Sequence, residues 1–433
     1  MIVRVFCTGL TALALACPGT SCAQLSPTEK AIVAAVEQRA PEALVFLEQL
    51  VNVNSGTLNH VGVREVGRMM RKELDALGFE TRWVDMSSVN RAGHLVATRK
   101  GGQGKRLLLL GHLDTVFEKD SPTQRWERKG DKATGPGVSD MKGGDVVMLE
   151  ALRALHQAGA LANTTITLVF TGDEERVGDP IEVARRDLVE AAKQSDAVLS
   201  FEGISIENGK VTATVARRSA GSWSLKATGK QAHSSGMFGK SAGFGAIYEA
   251  ARILNAFRED LPEANLSFSP GLILGGTDVK FEPEVSRGTA FGKNNVIANT
   301  VRATGDLRAL TEVQLKATQA NMRAIVAKNL PGTSADIAFV DAYPPMAPTA
   351  GNEKLRQMLS KASEDAGLGS IASGDPGARG AGDIQFAAPY ADCLDGIGAG
   401  GDGAHSPREE LDVRSISVAA QRAALLIYRL TRP

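Results

Sequence analysis

Cysteine is nearly missing from the body of this chain. Of 4 in 433 residues, Cys7, Cys17 and Cys22 fall within the first 23 positions and Cys393 stands alone beyond them. A single distal thiol excludes an intrachain disulfide framework and any thiolate-built metal or iron–sulfur site. Aromatic residues are scarce, at 5%, which argues against stacking on bases. Charge bias is missing too: 49 Lys plus Arg face 49 Asp plus Glu with no basic block, so neither nucleic acid nor an anionic membrane is an expected partner. Beyond the N-terminus no apolar run reaches the roughly 18 residues a spanning helix needs. The glycine-rich stretch 134–144 lacks Walker spacing, and its lysine is followed by Gly-Gly rather than Ser or Thr, so it is no phosphate cradle. There is no internal repeat and no low-complexity tail.

What is present begins with a targeting pattern. Arg4 precedes an apolar run over 5–16, then Pro18-Gly19-Thr20-Ser21-Cys22-Ala23, whose small residues predict a signal peptide over 1–23 with cleavage before Gln24. The expectation is an exported protein, periplasmic or secreted, with no membrane attachment in the mature form. A lipoprotein signal at Ala14-Leu15-Ala16-Cys17 is the alternative, which Leu15 fits poorly. Without the segment, which carries one charged residue, the chain stays near neutral. The remaining length exceeds one ordinary core, so two domains are expected, and 43% hydrophobic residues suffice for both.

The apolar pattern then points repeatedly at strand ends. Leu107-Leu108-Leu109-Leu110 reads as a strand buried on both faces, and it leads into Gly111-His112-Leu113-Asp114. Ligands of open α/β sheets bind at the carboxyl edge, where His112 would sit. His112 taken alone fits a satisfied strand-end histidine as well as a metal ligand. Strands at 79–84 and 94–98 begin the sheet, after a capped helix start at Ser26-Pro27-Thr28-Glu29 and a helix over 59–77 stopped by Gly78. Loop 134–144 presents Asp140 at the entrance of a helix that runs to about His156. The strand at 165–170 ends before Asp173-Glu174-Glu175, and that at 197–201 ends at Glu202.

From about Val215 the pattern changes to alternating strands (222–228, 296–307, 335–340) around two amphipathic helices (243–257 and 311–329), a βαββαβ-like order. The predicted organisation is a catalytic domain from 24–214 and 343–433, interrupted by a small α+β domain over 215–342. The proline-rich bridge Tyr343-Pro344-Pro345-Met346-Ala347-Pro348 leads back to the first domain. A helix over 352–366, a glycine-rich region reaching His405, and a last helix over 415–430 complete it. The fold class is α/β: a mostly parallel, mixed sheet sandwiched by helices, with an inserted α+β domain.

Gathered together, His112, Asp140, Glu174, Glu175, Glu202 and His405 offer two imidazoles and several carboxylates. That donor set suits zinc, with cobalt or manganese as alternatives, and the number of carboxylates favours a pair of ions over one. His60, His94 and His156 fall outside every motif and read as structural or solvated. Arg217 and Arg218, at the hinge, read as a solvated linker.

Six ordered motifs carry a family resemblance: Gly-His112-Leu-Asp114-Thr, Gly-Val-Ser-Asp140-Met-Lys-Gly-Gly, Thr-Gly-Asp-Glu174-Glu175, Phe-Glu202-Gly, Gly-Lys-Gln-Ala-His233-Ser and Ala-His405-Ser. Together they resemble the glutamate carboxypeptidase and aminoacylase family of dinuclear zinc hydrolases, nearer to glutamate carboxypeptidase, over almost the whole mature chain. The resemblance implies two zinc ions per chain, with Asp140 bridging, His112 and Glu202 on one ion, and Glu175 and His405 on the other. It implies Glu174 as general base, Asp114 as the partner orienting His112, and a cis Asp140–Met141 peptide. It further implies a homodimer formed through the inserted lid, in which His233 reaches the other copy's site to stabilise the oxyanion, and Asn295 and Arg308 as grips for a substrate carboxylate. Arg308 is alternatively a sheet-surface arginine paired with a neighbour. The expected function is an exopeptidase releasing a C-terminal residue, glutamate among the candidates. An N-acyl amino acid deacylase and a non-catalytic binding relative are the alternatives. The stretch 377–383, Gly-Ala-Arg-Gly-Ala-Gly-Asp, departs from the Gly-Thr-Asp-Ala pattern of family members, which puts the substrate pocket in doubt.

Overall fold

The computed structural model describes residues 25–432, so the expected signal peptide lies outside them. The chain begins with the helix Pro27–Val51, closed by a reciprocal cap: Ser26 Oγ accepts the Glu29 amide at 3.3 Å and Glu29 Oε2 accepts the Ser26 amide at 2.8 Å. It continues unbroken through Pro41, where the bond lost at a proline is offset by burial of Ala43, Leu47 and Leu50. Asn59 caps His60–Ala76 by accepting the Gly62 amide, and Gly78, at φ 78°, lets the chain turn out of it.

The main sheet has six strands in the order Glu80–Val84, His94–Arg99, Thr164–Thr171, Gln103–His112, Ala197–Ser200, Asp392–Leu394. The last four are mutually parallel and the first two antiparallel. The leucine run lies in its middle. Leu107 and Leu109 join the core packed with helices Pro27–Val51, Lys142–Gln157 and Arg414–Leu430, whereas Leu108 and Leu110 join the opposite face with Leu188, Ala192 and Met346. Burial on both faces explains why the run does not alternate, and each such side chain contributes about 1.5–3 kcal/mol.

Parallel register also sets the functional edge. His112 is the last residue of its strand and lies opposite Thr171, while Leu110 lies opposite Ser200, so the continuations 173–175 and 202 emerge at the same edge. Helix Lys142–Gln157 starts directly against that edge. A Cβ at Gly144 would fall 1.9 Å from the carbonyl oxygen of Phe201, so only glycine allows the helix start, and Asp140 before it, to sit beside Glu202.

The intervening stretch forms a four-stranded antiparallel sheet, ordered Pro270–Gly276, Thr300–Leu307, Ala220–Gly229, Thr333–Tyr343, under helices Gly245–Asp260 and Glu312–Val326. Trp223, Ile253, Phe257, Leu315 and Met322 give it a separate hydrophobic core. Two elements are not foreshadowed by the sequence pattern: the edge strand Pro270–Gly276, and the hairpin of Asp278–Glu282 with Arg287–Phe291. Proline at one end and Gly275-Gly276 at the other mask that edge strand. The strand expected at 296–307 begins only at Thr300, and two short helices, Ile181–Ala184 and Arg186–Lys193, follow Asp179. Among the described residues no helix is long and apolar enough to cross a membrane.

Candidate metal centre

His112 is 1% exposed, and its Nδ1 lies 3.0 Å from the carbonyl oxygen of Asp114. A carbonyl only accepts, so Nδ1 keeps a proton in either charge state and Nε2 is the nitrogen whose lone pair becomes available when the ring is neutral. Nε2 faces Asp140 Oδ1 at 3.2 Å and Glu202 Oε1 at 3.6 Å. The orienting group is thus the main chain of Asp114, with its carboxylate farther off at 3.5 Å. The carboxylate has another task. Fully buried, it accepts from Thr57 Oγ1 at 2.6 Å and from the amides of Glu174 at 3.0 Å and Glu175 at 3.2 Å, pinning the loop that carries both glutamates.

Asp140 is reached from the other side by His405. Its Nε2 lies 3.1 Å from Asp140 Oδ2 and 3.0 Å from Glu175 Oε2. His405 sits on the loop between the short strands Gly401–Asp402 and Glu410–Asp412, at φ 61°, a left-handed conformation uncommon outside glycine. The same loop supplies Glu409, whose Oε1 accepts the amides of Ser139 at 2.8 Å and Asp140 at 3.0 Å and so fixes the backbone of the shared carboxylate. The Asp140–Met141 peptide is cis.

Two histidines therefore address opposite oxygens of one carboxylate, and the candidate ligand atoms fall into three overlapping groups, His112–Asp140–Glu202, His112–Glu174–Glu175 and Asp140–Glu175–His405, each within 4.8 Å. Among the described residues no Lys or Arg pairs with Asp140, Glu174, Glu175 or Glu202, and buried Glu175 Oε1 has no partner. Carboxylates crowded this closely, with imidazoles but no Lys or Arg beside them, fit divalent ions.

The electrostatics carry the same mark. Burial pushes Glu175 up to about 7, and the carboxylates of Asp140 and Glu175 push His405 up to about 11. Burial alone would depress His112, but Asp114, Asp140 and Glu202 hold it well above its ordinary value. Asp140 goes the other way, held low by the two histidines against its burial. Glu174 is held well above the usual carboxylate range by desolvation and by the charges of Asp383, Glu202 and Glu175.

Beneath Glu174 lies a polar network that no sequence motif announces. Arg185, 1% exposed, donates from Nη1 to Asp173 Oδ1 at 2.6 Å and from Nε to Asp383 Oδ1 at 2.7 Å, and Thr171 Oγ1 donates to Asp383 Oδ2 at 2.6 Å. Tyr343, the last residue of its strand, donates its phenol to the carbonyl of Glu174 at 3.3 Å, and burial raises its pKa. Burial opposes the charge of Arg185, yet Asp383 and Asp173 hold its pKa above the ordinary value. Arg185→Met would strand two buried carboxylates. It is expected to cost about 3 kcal/mol, read as a lower urea midpoint with an unchanged slope.

Arg217 is not a solvated linker residue. It is 3% exposed, with Nε 2.7 Å from Asp395 Oδ2, a partner too distant in sequence to be anticipated. Arg218 bridges Ser267 Oγ at 3.1 Å to the carbonyl of Gly377 at 3.4 Å. His94 is structural, as expected, its Nε2 donating to Ala184 and its Nδ1 accepting the Gly172 amide.

The expected lid residues lie apart from this centre. Segment 232–234 pairs with 295–297, bringing His233 and Asn295 together; both are exposed, and the His233 ring bonds Ser235 Oγ at 2.8 Å. Arg308 donates to Asp306 Oδ2 at 3.2 Å, the neighbour pairing. None of the three lines the cavity of about 1130 Å³ that holds Asp140, Glu174, Glu202 and His405.

A mixed α/β sheet at whose carboxyl edge two histidines and four carboxylates converge, beside a cavity lined by Asp140, Glu174, Glu202 and His405, defines a metallo-hydrolase. The chain belongs to Peptidase family M20/M25/M40, whose model matches residues 108–429. It is 28% identical over 417 residues to carboxypeptidase G2 of Pseudomonas sp. (strain RS-16), covering 95% of this chain and 94% of that protein. Its fold is similar to that of aminopeptidase PepT from Bacillus cereus ATCC 10987, with a TM-score of 0.71 at 19% identity over 91% of this chain and 99% of that one. It is similar as well to a dinuclear metal binding peptidase of the M20 family from Bacillus subtilis, with a TM-score of 0.64 at 16% identity over 91% and 99%.

Proposed function

We propose that the chain is a dinuclear metal-dependent exopeptidase that removes a C-terminal residue, glutamate among the candidates. The observation that carries this reading is Asp140, whose two oxygens face two different histidines while Glu174 stands in the same cavity with no cation paired to it. His112, Asp140 and Glu202 would hold one ion, and Asp140, Glu175 and His405 the other, zinc being the ion the donor set suits best. Bound ions would polarise the scissile carbonyl and make water a nucleophile at neutral pH.

Glu174 then accepts a proton from the attacking water as its oxygen bonds to the carbonyl carbon. When the C–N bond breaks, Glu174 returns that proton to the leaving nitrogen. A raised pKa suits both halves of the task, because the group must first take the proton and then give it up. Asp114 keeps Glu174 and Glu175 in place by accepting both amides.

In this reading the lid contributes after the two units approach: Arg308 leaves Asp306 for a substrate carboxylate, Asn295 assists, and His233 of a second copy of the chain donates to the developing oxyanion. His233→Ala is expected to lower kcat by about 10²–10³-fold with a smaller change in KM. An unchanged kcat removes His233 from the reaction. Export, resting on the pattern of residues 1–23, belongs to the same proposal. A panel of C-terminal glutamyl peptides against N-acetyl amino acids, run with zinc-loaded protein, decides the function: preferential cleavage of the acetyl compounds makes it a deacylase.

A further inference from the structure

The cavity wall also carries a cation that the hydrolytic chemistry leaves unused. Arg379 lies between the short turns Pro376–Ala378 and Asp383–Phe386, in the stretch that departs from the pattern of family members. Its guanidinium donates to Ser205 Oγ at 2.7 Å and to the carbonyl of Gly203 at 3.0 Å, which fastens it to the segment directly following Glu202. Both acceptors are neutral and both line the cavity. Among the described residues Arg379 has no carboxylate partner.

Three other cations of that wall already have a carboxylate partner. Arg217 is neutralised by Asp395, Arg414 by Asp412 at 2.7 Å, and Lys132 by Glu410. Arg422 also has only neutral partners, but it is 7% exposed and donates to Ser363 Oγ and the carbonyl of Leu368, neither of which lines the cavity, whereas both partners of Arg379 do. Arg379 therefore faces a cavity crowded with carboxylates while keeping its own charge. A planar guanidinium anchored through two of its nitrogens keeps further N–H donors in a fixed direction, a seat suited to a carboxylate.

We propose that Arg379 is a specificity-determining residue that seats an anionic group of the substrate, so that a second carboxylate beyond the one assigned to Arg308 is recognised. The substrate class is then dianionic: peptides or acyl amino acids carrying an acidic side chain besides the free terminus. This deepens the hydrolase reading and rests on it.

The test uses the full-length, metal-loaded chain with Arg379→Gln and Arg379→Lys. For an acidic substrate, KM should rise about 10- to 100-fold in Arg379→Gln with kcat within about twofold, while a neutral substrate of equal length is unaffected. Arg379→Lys should recover part of the loss. Calorimetry with glutarate and butyrate reads the seat without turnover: the wild type should prefer glutarate by at least about tenfold and Arg379→Gln should not. Equal losses on acidic and neutral substrates, or a glutarate preference that survives Arg379→Gln, overturns the assignment. If Arg379→Gln fails to fold, the wild type decides, since no preference for glutarate over butyrate overturns it as well. An Arg379-dependent glutarate preference without hydrolysis of any amide sustains the seat and defeats the hydrolase reading; hydrolysis indifferent to Arg379 does the reverse.

Discussion

Glu174→Gln is expected to lower kcat by about 10³-fold or more while both ions stay bound, because it removes the proton acceptor without removing a ligand. Glutamine keeps the size of the side chain, and the amides held by Asp114 belong to the backbone, so the loop stays pinned. The substitution also removes a charge from a crowded place, next to Asp383, Glu202 and Glu175. Stability should therefore move opposite to activity. A carboxyl whose folded pKa is raised contributes stability that is present at low pH and lost as pH climbs from the unfolded value through the folded one. In metal-free protein, Glu174→Gln should melt like the wild type near pH 4 and above it at neutral pH. Thermal melts at both pH values and steady-state kinetics check the pair of expectations. Turnover within about tenfold of the wild type would remove Glu174 as the base.

The parts of this centre that were legible in sequence are those that local pattern encodes. A continuous leucine run can hardly be anything but a strand covered on both faces, and the residues just past the carboxyl end of such a strand lie at the ligand-binding edge. His112, Glu174, Glu175 and Glu202 all stand at strand ends in that way, and the structure brings them together with Asp140 and His405. The part that stayed hidden is support supplied across the chain. Glu409 holds the amide of Asp140 from 269 residues away, Arg185 meets Asp383 across 198, and Arg217 meets Asp395 across 178. No spacing rule encodes such pairs, and Arg217-Arg218 beside a turn looks like solvated linker until the partner is seen. Asp145 was hidden for a related reason. It is fully buried on an otherwise ordinary helix, and its Oδ1 occupies the place a Cβ on Gly111 would take, 2.2 Å away. Gly111 is thus required next to His112 by a helix residue that periodicity alone marks only as core.

Removing the metal should abolish turnover and expose how the empty centre balances its charge. Protons take the place of the ions: His405, pushed up to about 11 between Asp140 and Glu175, holds its proton at pH 7, and His112 is raised in the same direction. Ligation needs the neutral imidazole, so loading zinc at pH 7 must displace at least the His405 proton. Metal affinity should rise with pH, because the competing proton is held less often as pH approaches the raised pKa of His405. Calorimetric titration of chelator-treated protein in two buffers of different ionisation enthalpy reads the released protons, and no buffer dependence would contradict the arrangement. Stability should track occupancy, since ions that bind only the folded chain add about 2.7 kcal/mol at a hundredfold excess over Kd. Elemental analysis of the reactivated enzyme fixes the stoichiometry. Two ions per chain are expected, because each histidine claims a different oxygen of Asp140, and full activity with one ion would leave either His112 with Glu202 or His405 with Glu175 without a ligating role.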